Sequence, residues 1–369
     1  MSSLSTTAMT GIKSYWTRGS GRSKRGQSRP KGMVCSFIYK HRRICFFDFR
    51  LAPRRTIKVE AKRKKYDSGI GVCDTDIEED RIKMKKGLIL EGGAMRGMFT
   101  AGVMDVLMEH QIEFDGVIGV SAGAAFGCNY KSGQIGRVLR YNTRFCADKR
   151  YGGVESWLKT GNIYNTEFCY GEVPLKHDPF DFAAYDRSLM EFYVVCTDIE
   201  TGLPVYHRYE GWEDHGFDWI RASASMPVVS ETVEIDGQKL LDGGISDSIP
   251  VSYFESIGYD RNVVILTRPL GYRKKRSRVT EAVIARKYRQ YPELVEAMKR
   301  RYRKYNEQVD EIMRKEAAGG LLVIRPKLPL PVGRVEKDPE KLRKAYEIGR
   351  GEAEKRLADI LRFLSTAWN

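Results

Sequence analysis

The segment GVIGVSAGAAFG, residues 116–127, constrains the fold of this 369-residue chain more than any other stretch. It places Ser121 between an apolar run and a series of small residues, in the pattern Gly-x-Ser-x-Gly. A sharp strand-to-helix turn of this kind exposes a serine nucleophile, and only small neighbours such as Gly119 and Gly123 fit beside it. The same pentapeptide also occurs in ordinary tight turns, so a catalytic role requires partners elsewhere in the chain.

Short apolar runs alternate with helical patterns from Gly87 onward, and an amphipathic helix is predicted at Met98–His110. Such alternation is typical of parallel strands that are covered by helices on both faces. The sequence therefore predicts an α/β fold with a mostly parallel central sheet flanked by helices. The predicted strands, including one hairpin with Thr-Gly at its turn, lie at residues 87–90, 114–120, 191–209, 238–244 and 262–269.

The basic charge of the chain is concentrated in residues 1–83. This segment holds 20 of the 63 basic and 8 of the 48 acidic residues, which is +12 of the net +15. The remainder is almost neutral, so the overall charge does not indicate specific nucleic-acid binding. Three interpretations of residues 1–83 stay open: a disordered basic tail, a targeting segment, or a non-native upstream extension of the reading frame with the true start at Met84. We favour the third, because regular patterning begins abruptly there.

Two further units are predicted, an α/β domain at 84–272 and a mainly helical extension at 273–369. The extension reads as a long charged helix that is broken by Pro292, then a short strand, then an amphipathic helix that starts at Asp338 and Pro339.

Several classes of protein are excluded by composition. The seven cysteines form no Cys-x-x-Cys pair, which argues against a disulfide scaffold or a zinc site and suits the cytosol. No apolar run reaches the roughly 18 residues of a membrane-spanning helix. We therefore expect a cytoplasmic protein without metal or cofactor, with peripheral membrane contact as an open addition.

A second glycine-rich turn, EGGAMRGMFTAG at 91–102, also follows an apolar run and opens a helix. The N–H groups of Gly92, Gly93 and Ala94 are free of large side chains, so they can hold a phosphate or an oxyanion. The segment lacks the Gly-Lys-Ser/Thr of a nucleotide-binding loop. Arg96 either stabilises this loop or an anion, or lies on the surface as most arginines do.

The third element is LLDGGISDSIP at 240–250, in which Asp242 ends an apolar run. None of the five histidines follows Asp242, so the order Ser, acid, His of α/β-hydrolases is excluded with this acid. A triad that uses an earlier acid with His207 or His215 stays open. The remaining option is a Ser–Asp dyad, in which Asp242 takes the proton of Ser121 directly.

These elements together resemble the patatin-like phospholipase family. The resemblance is carried by GGAMRG (92–97), GVSAG (119–123), RASASMPVV (221–229) and DGG (242–244) and covers about residues 85–270. It implies a three-layer sandwich and a serine acyl hydrolase, with Ser121 as nucleophile and Asp242 as proton acceptor. It also implies an oxyanion hole at Gly92, Gly93 and Ala94, supported by Arg96, Gly97, Gly119, Gly123 and Gly243. The segment after 272 is similar to extensions in a bacterial subgroup.

One position departs from the family pattern, because Ala94 stands where the family loop usually has a third glycine. If this residue needs φ > 0, its methyl group costs on the order of 1 kcal/mol. Two functions are therefore predicted. The first is a phospholipase, lysophospholipase or carboxylesterase acting on a lipid or acyl ester. The alternative is a catalytically weak protein of the same fold that binds lipid or a partner through its basic helical C-terminus.

Overall fold

The structure is a computed structural model that describes residues 84–365. The predictions for residues 1–83 therefore lie outside the described residues. Within these bounds one eight-stranded sheet is formed, in the order β5-β6-β3-β2-β1-β7-β8, with β4 paired to β3. The strands are β1 (Lys85–Leu90), β2 (Gly116–Val120), β3 (Glu191–Asp198), β4 (Pro204–Arg208), β5 (Val233–Ile235), β6 (Gln238–Asp242), β7 (Tyr259–Ile265) and β8 (Leu321–Ile324).

The helices cover both faces of this sheet. They are α1 (Gly97–Glu109), α2 (Ala122–Lys131), α3 (Arg137–Phe145), α4 (Val154–Thr160), α5 (Phe182–Arg187), α6 (Asp218–Ser223), α7 (Val251–Ser256), α8 (Arg278–Lys287), α9 (Pro292–Ala317) and α10 (Pro339–Ser365). A π-helical stretch spans Glu167–His177, and short 3₁₀ turns lie at Ala94–Arg96 and Gly243–Ile245.

The sheet is mostly parallel, which confirms the predicted α/β class. Strands β3, β2, β1, β7 and β8 are parallel neighbours, whereas β4, β5 and β6 pair antiparallel. Successive residues of β1 point to opposite faces, so Leu88 and Leu90 join one apolar cluster while Ile89 joins another. The sheet is thus buried on both sides between layers of helix.

The helix after the first glycine-rich turn is more buried than its pattern predicts. Every residue of α1 from Gly97 to Leu107 is buried. The structure confirms a helix at this place, but its predicted amphipathic character was wrong, because α1 is enclosed by α2 and by α10, which lies more than 200 residues further along the chain.

The segment beyond residue 272 adds a strand to the central sheet. Strand β8 pairs parallel with β7, and Asn262 lies opposite Leu321. Pro292 is the first residue of α9, where its missing N–H costs no hydrogen bond, so it begins a helix and separates it from α8. The boundary at 272 stays a prediction.

Helices α1 and α10 approach each other through two glycines. A Cβ on Gly102 would lie 2.0 Å from the carbonyl oxygen of Tyr346, and one on Gly349 would lie 2.0 Å from that of Phe99. The close packing is flanked by a hydrogen bond of 2.7 Å from the Tyr346 hydroxyl to Asp105. The two backbones therefore touch at positions that no side chain can occupy.

We predict that Gly349→Ala lowers the free energy of unfolding by about 1–3 kcal/mol, because the new methyl group forces the two helices apart. Gly351 lies in the same helix with nothing within 4 Å of its Cβ position. Gly351→Ala is therefore the matched control and should raise stability by up to about 1 kcal/mol. Denaturant unfolding of both variants measures the difference. Equal effects would contradict the close approach of α1 and α10.

Candidate active site

The sheet brings the ends of β2 and β6 together along one edge of β3. Strand β4 occupies the opposite edge, since it pairs with the residues of β3 from Tyr193 to Thr197. On the shared edge Val120, the last residue of β2, lies opposite Val195, and Asp242, the last residue of β6, lies opposite Cys196. Because β2 is parallel and β6 antiparallel to β3, they run toward each other and end at adjacent positions. The residue after β2 is Ser121.

The turn at Ser121 has the strained geometry of a nucleophile elbow. Ser121 has φ 56° and ψ −121°, a conformation that costs energy for a residue with a side chain. A Cβ on Gly119 would lie 2.5 Å from the carbonyl oxygen of Gly123, and one on Gly123 would lie 2.4 Å from that of Leu90. Both glycines are required by the tightness of this turn.

The elbow is tied to β3 through a serine on α6. The backbone N–H of Ser121 donates to Ser223 Oγ at 2.9 Å, and the Ser223 hydroxyl donates to the carbonyl oxygen of Val195 at 2.6 Å. Ser223 lies in the segment RASASMPVV, but nothing in that sequence indicated that Ser223 would bind the Ser121 turn. The short helix therefore holds the turn by a side-chain hydrogen bond.

The glycine-rich turn after β1 lies directly against the serine. A Cβ on Gly92 would come within 2.9 Å of the Ser121 Cβ, so this glycine permits the contact. The N–H groups of Gly92, Gly93 and Ala94 donate to no acceptor within residues 84–365. These three residues line the same cavity as Ser121, so their N–H groups are free to bind an anionic oxygen there.

Ala94 adopts φ 49°, in the left-handed region that favours glycine. Gly93 before it has φ −171°, which any residue can adopt. The third position of the loop is therefore the strained one. Because φ is positive there, the methyl group of Ala94 costs about 1 kcal/mol, as the sequence analysis expected for that case.

A buried carboxylate holds this loop in position. Glu91 accepts hydrogen bonds from the backbone N–H and the hydroxyl of Thr267, at 2.5 and 3.0 Å. The Tyr305 hydroxyl donates to the other carboxylate oxygen at 2.7 Å. Sequence reasoning missed Glu91, although a carboxylate between an apolar run and two glycines was a usable signal.

Asp242 is buried, and its two carboxylate oxygens have different surroundings. Oδ1 accepts a hydrogen bond of 2.7 Å from the N–H of Gly244. Oδ2 is buried, and no described residue donates a hydrogen bond to it with acceptable distance and angles. The Ser121 side chain is nevertheless close enough to act on the ionisation of this carboxyl. One oxygen is thus fixed and the other is available.

Burial raises the pKa of the Asp242 carboxyl above its ordinary value. The Ser121 hydroxyl, the charge of Arg301 and the N–H of Gly244 each lower this pKa, but they offset burial only in part. A raised pKa makes the carboxylate a stronger base than an exposed aspartate, which suits direct proton transfer from a hydroxyl.

A cavity of about 910 Å³ opens over Ser121, Asp242 and the loop at 92–94. Much of its wall is aromatic or aliphatic and is supplied by α2, α3, α6 and the π-helical stretch. These apolar lining residues include Phe126, Tyr141, Tyr164, Tyr170, Val173, Phe217 and Ile220. The wall fits a hydrocarbon chain better than a polar substrate.

The remaining residues predicted for the site also lie at or near it. Arg96 is half-buried and lines the cavity, so it is not a surface side chain. A Cβ on Gly97 would lie 2.8 Å from the ring of Phe126, and one on Gly243 would lie 2.1 Å from the carbonyl oxygen of Val195. Gly97 and Gly243 thus allow close packing of the two turns.

The two histidines that the sequence left open are engaged elsewhere. His207 Nε2 lies 2.6 Å from Asp214 Oδ2, and its ring stacks on Trp219 with 3.8 Å between centroids. His215 Nε2 lies 3.2 Å from Asp236 Oδ2. Neither histidine is among the residues that line the cavity.

Comparison with known proteins identifies two regions of the chain. Residues 88–255 match the family described as patatin-like phospholipase, and residues 291–365 match a domain of unknown function, DUF6363. The first region contains every residue predicted for the site. The second contains the whole of α9, β8 and α10.

Two curated relatives overlap with about half of the chain. The uncharacterized protein YjjU of Escherichia coli K12 is 33% identical over 192 residues, which is 49% of this chain and 52% of that protein. The lysophospholipase nte1 of Aspergillus oryzae is 27% identical over 181 residues, which is 47% of this chain and 11% of that protein. The chain thus spans about half the length of the first relative and about a tenth of the second.

Among solved structures, VipD from Legionella pneumophila covers 75% of this chain and 67% of its own, at 11% identity and a TM-score of 0.36. This likeness is too distant to inform the site. Within residues 84–365, no helix has the length and apolar character needed to cross a membrane.

We predict that Ala94→Gly stabilises the protein by roughly 0.5–1 kcal/mol, since glycine removes the strain at φ 49°. The matched control is Ala317→Gly, because Ala317 is an exposed residue of α9, where glycine should lower stability. Opposite signs in thermal unfolding are expected. If both variants lose stability to the same extent, Ala94 is not strained.

Proposed function

Residues 88–255 form a patatin-like phospholipase domain, and from this premise we propose that the protein is a serine acyl hydrolase that cleaves ester bonds of phospholipids or related lipids. One observation carries the proposal. Ser121 directly follows β2 and Asp242 ends β6, and these two strands meet head to head on the edge of β3, in a cavity that is also lined by three residues with unoccupied N–H groups. Phospholipase A, lysophospholipase and carboxylesterase activities all fall within this class.

In the proposed acylation step, Asp242 takes the proton of the Ser121 hydroxyl as the oxygen attacks the ester carbonyl. The carbonyl electrons move to the oxygen, which is stabilised by the N–H groups of Gly92, Gly93 and Ala94. When the tetrahedral intermediate collapses, the bond to the alcohol breaks and Asp242 returns the proton to the leaving oxygen. The acyl group then remains on Ser121 as an ester.

Deacylation repeats the sequence with water. Asp242 accepts a proton from the attacking water, the same N–H groups hold the second oxyanion, and the proton returns to Ser121 as the fatty acid leaves. The oxygen that carries the proton in both steps is Oδ2, since Oδ1 is held by Gly244. The apolar wall of the cavity holds the acyl chain during both steps.

The second candidate function is a catalytically weak lipid- or partner-binding protein of this fold. The strain at Ala94 favours it, because a displaced N–H at the third position of the loop would weaken the oxyanion hole. Removal of a single oxyanion donor reduces turnover by roughly 10²–10³-fold in other serine hydrolases, so some activity would persist. Binding without any turnover would support this second candidate.

Peripheral contact with a membrane is part of the proposal. The apolar residues Val279, Val283 and Val335 line the cavity and are exposed, and Lys275 and Arg276 lie in the same segment. Apolar side chains mixed with cations at the mouth of a lipid site suit the surface of an anionic bilayer. A cytoplasmic location remains a prediction.

We predict that Ser121→Ala and Asp242→Asn each reduce kcat/KM for a short-chain p-nitrophenyl ester by about 10⁴-fold or more. The first removes the nucleophile, and the second keeps the shape of the side chain but cannot accept a proton. His207→Ala is the control, and it should change kcat/KM by less than about tenfold because His207 is paired with Asp214 outside the cavity.

Retained turnover in Ser121→Ala would exclude the proposed nucleophile. A large loss in His207→Ala, with Asp242→Asn still active, would show that the base had been assigned to the wrong residue.

A further inference from the structure

The cavity wall on one side of Ser121 carries a strong excess of positive charge. Nine basic residues line the cavity against three acidic ones, Glu91, Asp242 and Glu281. Three of the basic residues have carboxylate partners close by, since Arg137 pairs with Asp178, Arg273 with Asp310 and Arg276 with Glu281. The nine are Arg96, Arg137, Arg268, Arg273, Lys274, Lys275, Arg276, Arg301 and Arg334.

Four of these cations are partly buried and form no ion pair with any carboxylate in residues 84–365: Arg96, Arg268, Lys274 and Arg301. Arg96 Nε is buried and has no hydrogen-bond partner among those residues. Two carboxylates, Glu91 and Asp242, act on these cations, and Glu91 already accepts hydrogen bonds from Thr267 and Tyr305. The four cations therefore exceed the negative charge that the described chain places near them.

The local structure holds these cations beside the reaction centre. Arg301 Nε donates to the carbonyl oxygen of Gly244 at 2.5 Å, two residues from Asp242. The backbone N–H of Lys274 donates to Asn306 Oδ1 at 2.8 Å, and its ammonium lies 4.0 Å from the centroid of the Tyr305 ring. These contacts fix position but supply no negative charge.

Clustering of these cations destabilises their charged forms. Burial and the charges of Arg301 and Arg96 together lower the pKa of Lys274 to about 7, although Glu91 and Asp242 act in the opposite direction. Burial, followed by the neighbouring charge of Arg268, also lowers the pKa of Arg96. A bound anion would relieve both effects, because opposite charge favours the protonated forms.

The apolar and basic walls come from opposite faces of the sheet. Phe126 and Tyr141 belong to the apolar cluster that contains Leu88, whereas Tyr305, beside Lys274, belongs to the cluster that contains Ile89. The two walls meet over Ser121. An amphiphile with its acyl chain on the apolar side would thus direct its headgroup toward the cations.

We propose that Arg96, Arg268, Lys274 and Arg301 form a headgroup subsite that binds the phosphate of an anionic lipid and disfavours headgroups that carry a cation. The inference rests on the proposed function, since it assigns the substrate class of the same site. Choline and ethanolamine headgroups bring an ammonium into a wall with no spare carboxylate, whereas phosphoglycerol adds only negative charge. Guanidinium and ammonium groups both bind phosphate oxygens well.

The test compares kcat/KM for lysophosphatidylglycerol, lysophosphatidylcholine and monoacylglycerol of one acyl chain, below the concentrations at which they aggregate. We expect the protein to prefer the phosphoglycerol headgroup over choline by at least about tenfold. Lys274→Gln and Arg268→Gln should each reduce this ratio by roughly tenfold, the loss expected for one charged contact. Lys304→Gln, which removes an exposed lysine of α9 that does not line the cavity, should leave the ratio unchanged.

Raising the pH supplies a second readout of the same subsite. Lys274 is charged below its pKa of about 7 and neutral above it, so the ratio should fall as the pH rises from 6 to 8.5. The charged groups that act on Lys274 are Arg96, Arg301, Glu91 and Asp242. Titration of Asp242 changes kcat/KM for both substrates by the same factor, so it does not change their ratio. Lys274→Arg should keep the ratio constant over this range, because arginine stays charged.

Binding of glycerol 3-phosphate by calorimetry tests the subsite without turnover. It should be weakened about tenfold by Lys274→Gln and not by Lys304→Gln. A ratio near one in the unmodified protein, or equal effects of Lys274→Gln and Lys304→Gln, would overturn the subsite. Binding of free glycerol 3-phosphate with no headgroup preference would show a phosphate site unrelated to lipid and would also overturn it. Hydrolysis of none of the esters, with specific binding retained, would instead reject the proposed activity.

Discussion

The proposed chemistry depends on one edge of strand β3, which is shared by two strands that run toward each other. Parallel β2 ends opposite Val195 and antiparallel β6 ends opposite Cys196, so the backbone ladder itself brings Ser121 and Asp242 side by side. Ladder hydrogen bonds define strand register, and a slip by one residue would reverse the direction of each side chain. A dyad built this way needs no histidine from a distant loop, which agrees with the engagement of His207 and His215 elsewhere.

Strain is concentrated at the two turns that meet at this edge. Ser121 and Ala94 both adopt positive φ, and each turn is stabilised by contacts that tolerate little change. The Ser223 hydroxyl holds the first turn, and Glu91 holds the second through Thr267 and Tyr305. Strained residues persist where the surrounding structure fixes them more strongly than the strain disfavours them. Tyr305 lies on α9, so the region matching the domain of unknown function also supports a loop of the region that matches the patatin-like phospholipase family.

The parts of the site that sequence could reveal are those fixed by local chain geometry. Tight turns require glycine, so the glycines around Ser121 and Asp242 could be recognised as sequence patterns. The α/β class could be predicted from the alternation of apolar runs with helical patterns. Contacts between distant segments could not be predicted, because they depend on no local sequence pattern. The burial of α1 depends on α10, and the link between Glu91 and Tyr305 spans more than 200 residues. Lys274 and Arg301 lie in a segment so rich in basic residues that nothing distinguished them before the fold placed them beside the cavity.

The central claim is that Ser121 is a nucleophile activated by Asp242, and covalent labelling tests it most directly. The protein is treated with a fluorophosphonate, which reacts with activated serines, and the adduct is mapped by peptide mass spectrometry. The account predicts one stoichiometric adduct, on the peptide that contains Ser121, formed much more slowly in Asp242→Asn although the serine is still present. An adduct on a different serine, or undiminished labelling of Ser121 in Asp242→Asn, would contradict it.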